Sequence, residues 1–387
     1  MREPYQSVNS EYDVAIVGAG LAGLSLAVRL AALPNPPRIL MVDPRTTRER
    51  DRTWCSWSVR PHPFVDCVSH RWLEWTVGSG NASVVRGSER FPYQRIPSDA
   101  LYRKAETLLA QAPSVTWALG RSVVDLKETS GLVQISFSDG NSVEARRVYD
   151  SRPPGIKTTD GWRQIFSGLE IRCPGACWNP EKVVLMDFQQ ADENGVRFFY
   201  ILPLSSDSFL VEDTWLCPAG ENPIFSEAEI LSYASERIGV SGWEILHREK
   251  GTIPMFAMPQ ATSGGRITAI GTRGGAVRSS SGYAFTRIQQ ESDALAAAYP
   301  NLPATGAGTL FLRMMDAIFI KAVDQHPERL PDYMSRLFQN VKSERLIRFM
   351  ESCPTWLDLL AVMAALPLWP FLVAATSVRS PAKPARL

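Results

Sequence analysis

Apolar and polar positions alternate along this chain in a few distinct rhythms. DVAIVG at residues 13–18 is a short apolar run, and after the small residues of AGLAG the stretch SLAVRLAAL has helical spacing. RILMVD at 38–43 is a second apolar run that ends in an acid. Strand, glycine turn, helix, strand is a βαβ unit. A polar region with several tryptophans follows (Trp54, Trp57, Trp72, Trp75). Residues 98–111 predict a helix capped by Ser98. Runs such as VTWAL, VVDL and LVQISFSD within 114–150 predict a small sheet. Further strand-like runs, KVVLMDF, VRFFYILPL and SFLVEDTWL, occupy 165–260. RITAIGT at 266–272 is again a buried-strand pattern, YAFTRIQQESDALAAAY is helical, and so is everything from about 310 onward.

These elements predict an α/β fold: a Rossmann-like dinucleotide-binding domain, an inserted β-sheet domain and a helical C-terminal part. The expected division is 11–80 and 81–165 for the first two segments of the binding domain and 166–262 for the β-rich substrate domain. The binding domain returns at 263–305, and helices fill 306–387. A length of 387 residues agrees with about two domains. Hydrophobic residues make up 45% of the chain and charged residues 21%, so a core is affordable in composition. A net charge of +1 gives no electrostatic case for nucleic acid as a partner.

The cysteines at 55, 67, 173, 177, 217 and 353 form no CxxC pair, and the histidines at 62, 70, 247 and 326 form no HExxH, so no metal is expected. The cysteines read as reduced and structural, which fits the cytoplasm. The N-terminal MREPYQSVNSEYD has no apolar core of a signal peptide. Residues 359–375, LLAVMAALPLWPFLVAA, carry no charge, are interrupted by Pro367 and Pro370, and precede Arg379, Lys383 and Arg386. The segment reads as a buried terminal helix, or as a membrane-surface or substrate-channel element with a basic tail. Its length is at the bottom of the range that spans a bilayer.

GAGLAG supplies Gly18, Gly20 and Gly23. The first permits a tight turn, the second lets a pyrophosphate approach the backbone, and the third lets helix and strand pack closely. The helix N-terminus then offers free N–H groups to phosphate. Asp43 stands at the end of the second strand, where an acid binds a ribose hydroxyl. The chain leaves the βαβ unit and returns only with RITAIGT, an architecture that favours FAD over a nicotinamide. Arg95, just before the 98–111 helix, and the loop GTRGGAVRSSSGY with Gly271, Gly274 and Gly275 are further candidates for holding a ligand.

FLVEDTWL at 209–216 places Glu212 and Asp213 side by side in a strand, hence on opposite faces. One reading is a strand end with one acid solvated and the other paired to Arg197. The other is a carboxyl kept protonated by desolvation, able to donate a proton near neutrality. Phe198, Phe199, Tyr200, Phe209 and Trp215 could then wall a carbocation, since aromatic faces attract positive charge.

Taken together, DVAIVGAGLAGLSLA, RTWCSW (52–57), RFFYILPLSSDSFLVEDTWL (197–216), GTIPM (251–255) and GTRGGAVRSSSGY (271–283) make the chain resemble the bacterial lycopene β-cyclases. The helical tail, with FLRMMDAIF and RLIRFMESCPTWLDLLAVMAALPLWP, fits as well. The resemblance implies an FAD protein of the hydroxylase-like flavoprotein fold. It places Arg95 and Asp150 beside FAD, the latter in DSR where the family has Asp-Gly-Arg and this chain has Ser151. Gly271 is followed by Thr272, not by the aspartate of flavin monooxygenases, which favours the cyclase branch. Plant-type cyclases have FLEET where this chain has LVEDT, so Asp213 keeps the charge on a shorter side chain, while Glu212 is the acid tied to catalysis.

The implied reaction is a non-redox cyclisation of lycopene through γ-carotene to β-carotene, with FAD reduced by NAD(P)H. So apolar a substrate implies a peripheral, membrane-associated enzyme. A flavin monooxygenase or an isoprenoid reductase on the same fold is the alternative, and a non-enzymatic binding module a more distant one. One or two rings, the substrate range, the nicotinamide and the oligomeric state stay open at this stage.

Overall fold

β1 (Glu11–Val17), α1 (Leu21–Ala31) and β2 (Ile39–Asp43) are the unit that the first apolar runs predict. The computed structural model describes residues 11–79, 82–176, 178–258, 265–303 and 307–378. The N-terminal MREPYQSVNS, Cys177, and Arg379, Lys383 and Arg386 lie outside the described residues. Every residue of β2 is buried, as a parallel strand covered on both faces must be. β1 pairs in parallel with β2 and with β11 (Ser142–Asp150), and β8 (Val115–Leu119) extends the sheet beyond β2. β9 (Val123–Glu128) and β10 (Val133–Phe137) form an antiparallel hairpin on the other side. The RITAIGT run supplies β17 (Ile267–Ala269), which pairs in parallel with the end of β11.

α2 (Ser98–Ala110) and α4 (Phe285–Ala298) pack with α1. Ser98 does not cap α2 as the sequence suggests. It is the first residue of the helix, and its buried hydroxyl accepts from the backbone N–H of Asp51 (3.0 Å) and Arg52 (3.1 Å). The preceding loop takes the oxygen that a cap would use, and Pro97 holds the cap position.

The second sheet runs β16 (Glu244–Pro254), β12 (Arg163–Arg172), β15 (Ser208–Cys217), β14 (Gly195–Pro203), β13 (Lys182–Asp192), β5 (Glu74–Gly78), β6 (Val84–Gly87). All its pairs are antiparallel except β5 with β13. The β5–β6 hairpin therefore belongs to this sheet, and a boundary at residue 80 would cut through it. The tryptophan-rich stretch is core, not a polar excursion: Trp57, Trp72 and Trp75 are each 1% exposed. β3 (Thr53–Trp57), β7 (Tyr93–Pro97) and β4 (His70–Trp72) make a third sheet that links the two cores. Tyr93 of β7 joins the core of the second sheet, and Ile96 joins that of the first.

Along β14 and β15 the side chains alternate with period two. Phe199, Ile201, Phe209 and Val211 pack against α3 (Glu227–Ile238). Phe198, Tyr200, Leu202 and Leu210 face the third sheet and the C-terminal helices.

Those helices are α5 (Ala307–Gln325), α6 (Leu330–Asn340), α7 (Ser343–Met350), α8 (Trp356–Ala365) and α9 (Leu368–Ser377). α8 starts in a capping box: Thr355 Oγ1 accepts from Asp358 N–H (3.3 Å), and the Asp358 carboxylate accepts from Thr355 N–H (2.8 Å). Leu366 is extended before Pro367, and α9 departs at 109° to α8. The uncharged segment is thus two short helices instead of one buried helix. Among the described residues no single helix is long and apolar enough to cross a membrane. Phe371 of α9 packs on Phe319 and Tyr333, while Trp356, Leu368 and Trp369 are 73%, 72% and 76% exposed.

Candidate active site

Tyr200, Glu212, Gly168 and Glu249 lie side by side across β14, β15, β12 and β16. Their strands are in register, so all four project from the face that looks toward the third sheet. Gly168 matters because it has no side chain. A Cβ there would lie 2.9 Å from Glu212 Cγ and 3.2 Å from Glu249 Cγ. The two glutamates lean over the glycine from strands that are not adjacent, and their carboxyls hydrogen-bond. Glu249 Oε2 also accepts from Thr53 Oγ1 at 2.8 Å, whereas its Oε1 is buried and meets no N–H or hydroxyl among the described residues. Burial pushes the Glu212 carboxyl well above the usual carboxylate range. The charge of Glu249 and the bond to it add to the rise, and Arg95 opposes it.

The third sheet and the 271–283 loop cover this row with aromatic and weakly polar groups. Tyr93 Oη lies 3.0 Å from Tyr200 Oη and 3.4 Å from Tyr283 Oη. The Trp57 ring sits 4.9 Å from that of Tyr93 and 5.3 Å from that of Tyr283, centre to centre. Burial pushes the Cys55 thiol, which bonds to Tyr200, up to about 12, so it is neutral here. One to two rows further along the same face, a mainly apolar cleft opens between Phe198, Leu216 and Gln164 on the sheet and Phe319, Val323 and Met334 on the helices. The cleft thus lies on the same face of the sheet as the acid, toward α5 and α6.

Asp213 occupies the other face. It is fully buried and accepts from Arg197 Nε (2.9 Å) and Nη2 (2.7 Å), and Arg197 also reaches Glu229 of α3. Burial raises the Asp213 carboxyl and the two arginine bonds oppose the rise. Of the aromatic residues expected to surround a cation, Phe198 and Tyr200 share the face of Glu212. Phe199 and Phe209 pack toward α3, and Phe199 and Trp215 flank Arg197. The period-two rule separates them as it separates the two acids. Glu249, Gly168, Tyr93, Tyr283 and Trp57 were not singled out as a site by the sequence. REKGTIP does carry the alternation of an edge strand with Glu249 on its inward phase, but only pairing across β12 makes that glutamate a neighbour of Glu212.

The glycine motif forms a separate cradle at the C-terminal ends of β1, β2, β11 and β17, where ligands of such sheets bind. Gly18 has φ +98°, in the left-handed region that favours glycine. A Cβ on Gly23 would come 2.0 Å from Gly18 O, which is the close helix–strand approach. A Cβ on Gly20 would meet nothing within 4 Å, so backbone faces open space at the start of α1. The first turn of α1 has no acidic residue and no side-chain cap, leaving its N–H groups available for phosphate. Asp43 accepts from Ala19 N–H (2.7 Å) and from Arg45, and so fastens the turn. Burial works against its charge, but Arg45 and Ala19 outweigh burial and hold the carboxyl below its usual range.

Asp150 binds Arg152, and Ser151 Oγ donates to Val17 O or Gly18 O, at 2.9 and 2.8 Å. The serine thus closes the turn against the glycine motif. A Cβ on Gly271 would lie 2.6 Å from Ala22 Cβ, so the late loop backs directly onto α1. Gly274 and Gly275 continue that loop. The Gly271 N–H donates to Glu291 at 2.8 Å. Arg95 lies on β7, where it donates to Glu170 (3.0 Å) and faces the glutamate pair. These residues would suit a dinucleotide, with Gly20 and the N-terminus of α1 able to offer N–H groups to its phosphates and the 271–275 loop lying against α1.

The model of the lycopene cyclase protein family matches residues 13–376. A lycopene β-cyclase from Pantoea ananas is 27% identical over 308 residues, covering 74% of each chain. A geranylgeranyl bacteriochlorophyll reductase-like protein from Thermoplasma acidophilum superposes with a TM-score of 0.58 at 13% identity, over 92% of this chain and 96% of its own. A halogenase solved with phloroglucinol and FAD gives 0.54 at 10% identity, over 87% and 78%. Such distant structures establish the fold, the hydroxylase-like flavoprotein architecture with its inserted sheet and helical C-terminal part. The match along nearly the whole chain establishes more: the chain belongs to the lycopene cyclase family.

Proposed function

We propose that this protein is a lycopene β-cyclase that works with reduced FAD. The observation that carries the reading is Glu212: a carboxyl that burial and the neighbouring Glu249 raise well above its usual range, on the sheet face that also carries an apolar cleft, under a cover of tyrosine and tryptophan rings. Glu212 donates its proton to the terminal double bond of the linear end group. The tertiary carbocation is attacked by the next double bond, and a six-membered ring closes. Loss of a ring proton leaves the β-ionone group, so the product is an isomer. Repetition at the other end converts γ-carotene to β-carotene. Tyr200, Tyr93 and Tyr283 present ring faces and hydroxyl oxygens to the cation, and the apolar lining excludes the water that would quench it.

Gly18, Gly20, Gly23 and the N-terminus of α1 would hold the pyrophosphate of FAD, with Asp43, Asp150 and the 271–275 loop around the rest. When bound, the reduced flavin supplies negative charge next to the site, and NAD(P)H is the reductant we assign to it. The exposed apolar residues of α8 and α9, continuous through Phe371 with α5, suit a peripheral contact with the cytoplasmic membrane surface from which the substrate comes.

Expression in cells that accumulate lycopene tests the reading. The expected outcome is a product of unchanged mass with the retention of a cyclic carotene. A product heavier by oxygen or hydrogen would contradict it and favour a monooxygenase or a reductase.

A further inference from the structure

The cyclisation as written needs one acid, yet two glutamates meet at the site. Glu249 is 8% exposed, comes from the edge strand β16, and reaches Glu212 only because the intervening residue of β12 is a glycine. A purely structural glutamate at that position would be expected to satisfy both oxygens. Thr53 satisfies Oε2, but among the described residues Oε1 has no N–H or hydroxyl donor, and the Glu212 carboxyl is the group that bonds to Glu249 from across Gly168.

We propose that Glu249 is a positioning residue that shares a single proton with Glu212 across Gly168, and that the pair both gives the cyclisation its proton and takes one back. This inference rests on the reading of Glu212 as the acid. Atoms balance within the pair. In the first step the shared O–H bond breaks and a C–H bond forms at the terminal carbon, leaving two carboxylates. In the last step a ring C–H bond breaks, its electrons form the ring double bond, and the proton returns to the pair. Two carboxylates in contact in a poorly solvated site do not both stay ionised at little cost, so the return is favoured. The nearby charges set the limits of that argument. Arg95 on β7 is the cation closest to Glu212 in effect, and Glu170, bound to Arg50 and Arg95, lies beside His247 in the next row. Arg52 donates to Lys250 O at the outer edge of β16. Cys55, Tyr93, Tyr200 and Tyr283 face the pair as neutral groups, each raised by burial.

The test is Glu249→Gln in the flavin-loaded enzyme. Thr53 orients the amide oxygen, so the NH2 faces Glu212 and stabilises its carboxylate. The alkaline limb of the kcat–pH profile should then move down by about one pH unit or more, which is about tenfold less activity on the limb. KM should stay near that of the parent. A readout that needs no turnover is the infrared carbonyl band of the protonated carboxyl, assigned by its loss in Glu212→Gln. It should titrate at lower pH in Glu249→Gln. In Gly168→Ala, whose methyl separates the carboxyls, the band should move the same way. A folded Glu249→Gln protein with the band and the limb unmoved would overturn the shared proton. Glu212→Gln separates the two ideas: full activity there sinks the acid itself, whereas an inactive Glu212→Gln with an unmoved Glu249→Gln sinks only the sharing.

Discussion

Glu212 and Asp213 are adjacent in sequence and opposite in circumstance. Among the described residues no cation is bonded to Glu212, and burial beside Glu249 raises its carboxyl, which favours the protonated form. Asp213 has both oxygens on Arg197, so the charge stays on. We therefore expect Asp213→Asn to act on stability, leaving Arg197 with half its partners at a cost of about 3 kcal/mol. Thermal unfolding should show the loss, while kcat per folded molecule stays within a few-fold of the parent. A stable Asp213→Asn protein without turnover would contradict this assignment. The opposition of the two acids was readable from the strand alone, since alternation is local. The role of Glu249 was not. It depends on which strands lie beside β12 and on Gly168 leaving space, and both are long-range facts.

At the scale of elements, the glycine turn and the α8–α9 pair show what local pattern can and cannot convey. Gly18, Gly20 and Gly23 were legible because each spacing has its own steric reason, and the structure has an open backbone at Gly20 and contact at Gly23. Gly23→Ala should push α1 away from Gly18 O and release flavin, measured as lost flavin absorbance after gel filtration. The uncharged 359–375 segment was equally visible, but hydropathy has no direction. Only the bend at Pro367 and the packing of Phe371 reveal that one side is covered and the other exposed. Replacing the exposed Leu368 and Trp369 by glutamate should weaken sedimentation with lipid vesicles without changing the melting temperature. Undiminished vesicle binding in that variant would leave the apolar face without a membrane role. Ser98 was misread for the same reason, because a neighbouring loop took the oxygen that the helix would have used.

Across the whole molecule, buried polar links tie the C-terminal helices to the 271–283 loop and to the third sheet. Arg278 of the 271–283 loop is 1% exposed, pairs with Asp316 of α5 and donates to Phe349 O of α7. Glu351, just after α7, accepts from Trp57 N–H of β3 at 2.8 Å, and burial pushes its carboxyl up to about 7. A carboxyl raised on folding adds stability fully only below its unfolded value near 4.5, and that contribution is lost as pH rises through about 7. Glu351→Gln keeps the acceptor and removes the titration. It should gain stability relative to the parent at pH 8, on the order of 3 kcal/mol, and little at pH 4. Denaturant unfolding at the two pH values checks the sign. The overall fold followed from the sequence because the order of strand and helix rhythms is itself the architecture. The cross-links did not, since Glu351 and Trp57 are 294 residues apart in the chain. The most direct measurement of the central claim is turnover of lycopene in vesicles by flavin-loaded Glu212→Gln beside the parent, with products weighed. The account predicts an isomeric cyclic product from the parent and none from the variant at equal flavin content. Conversion by the variant at the parental rate would contradict it.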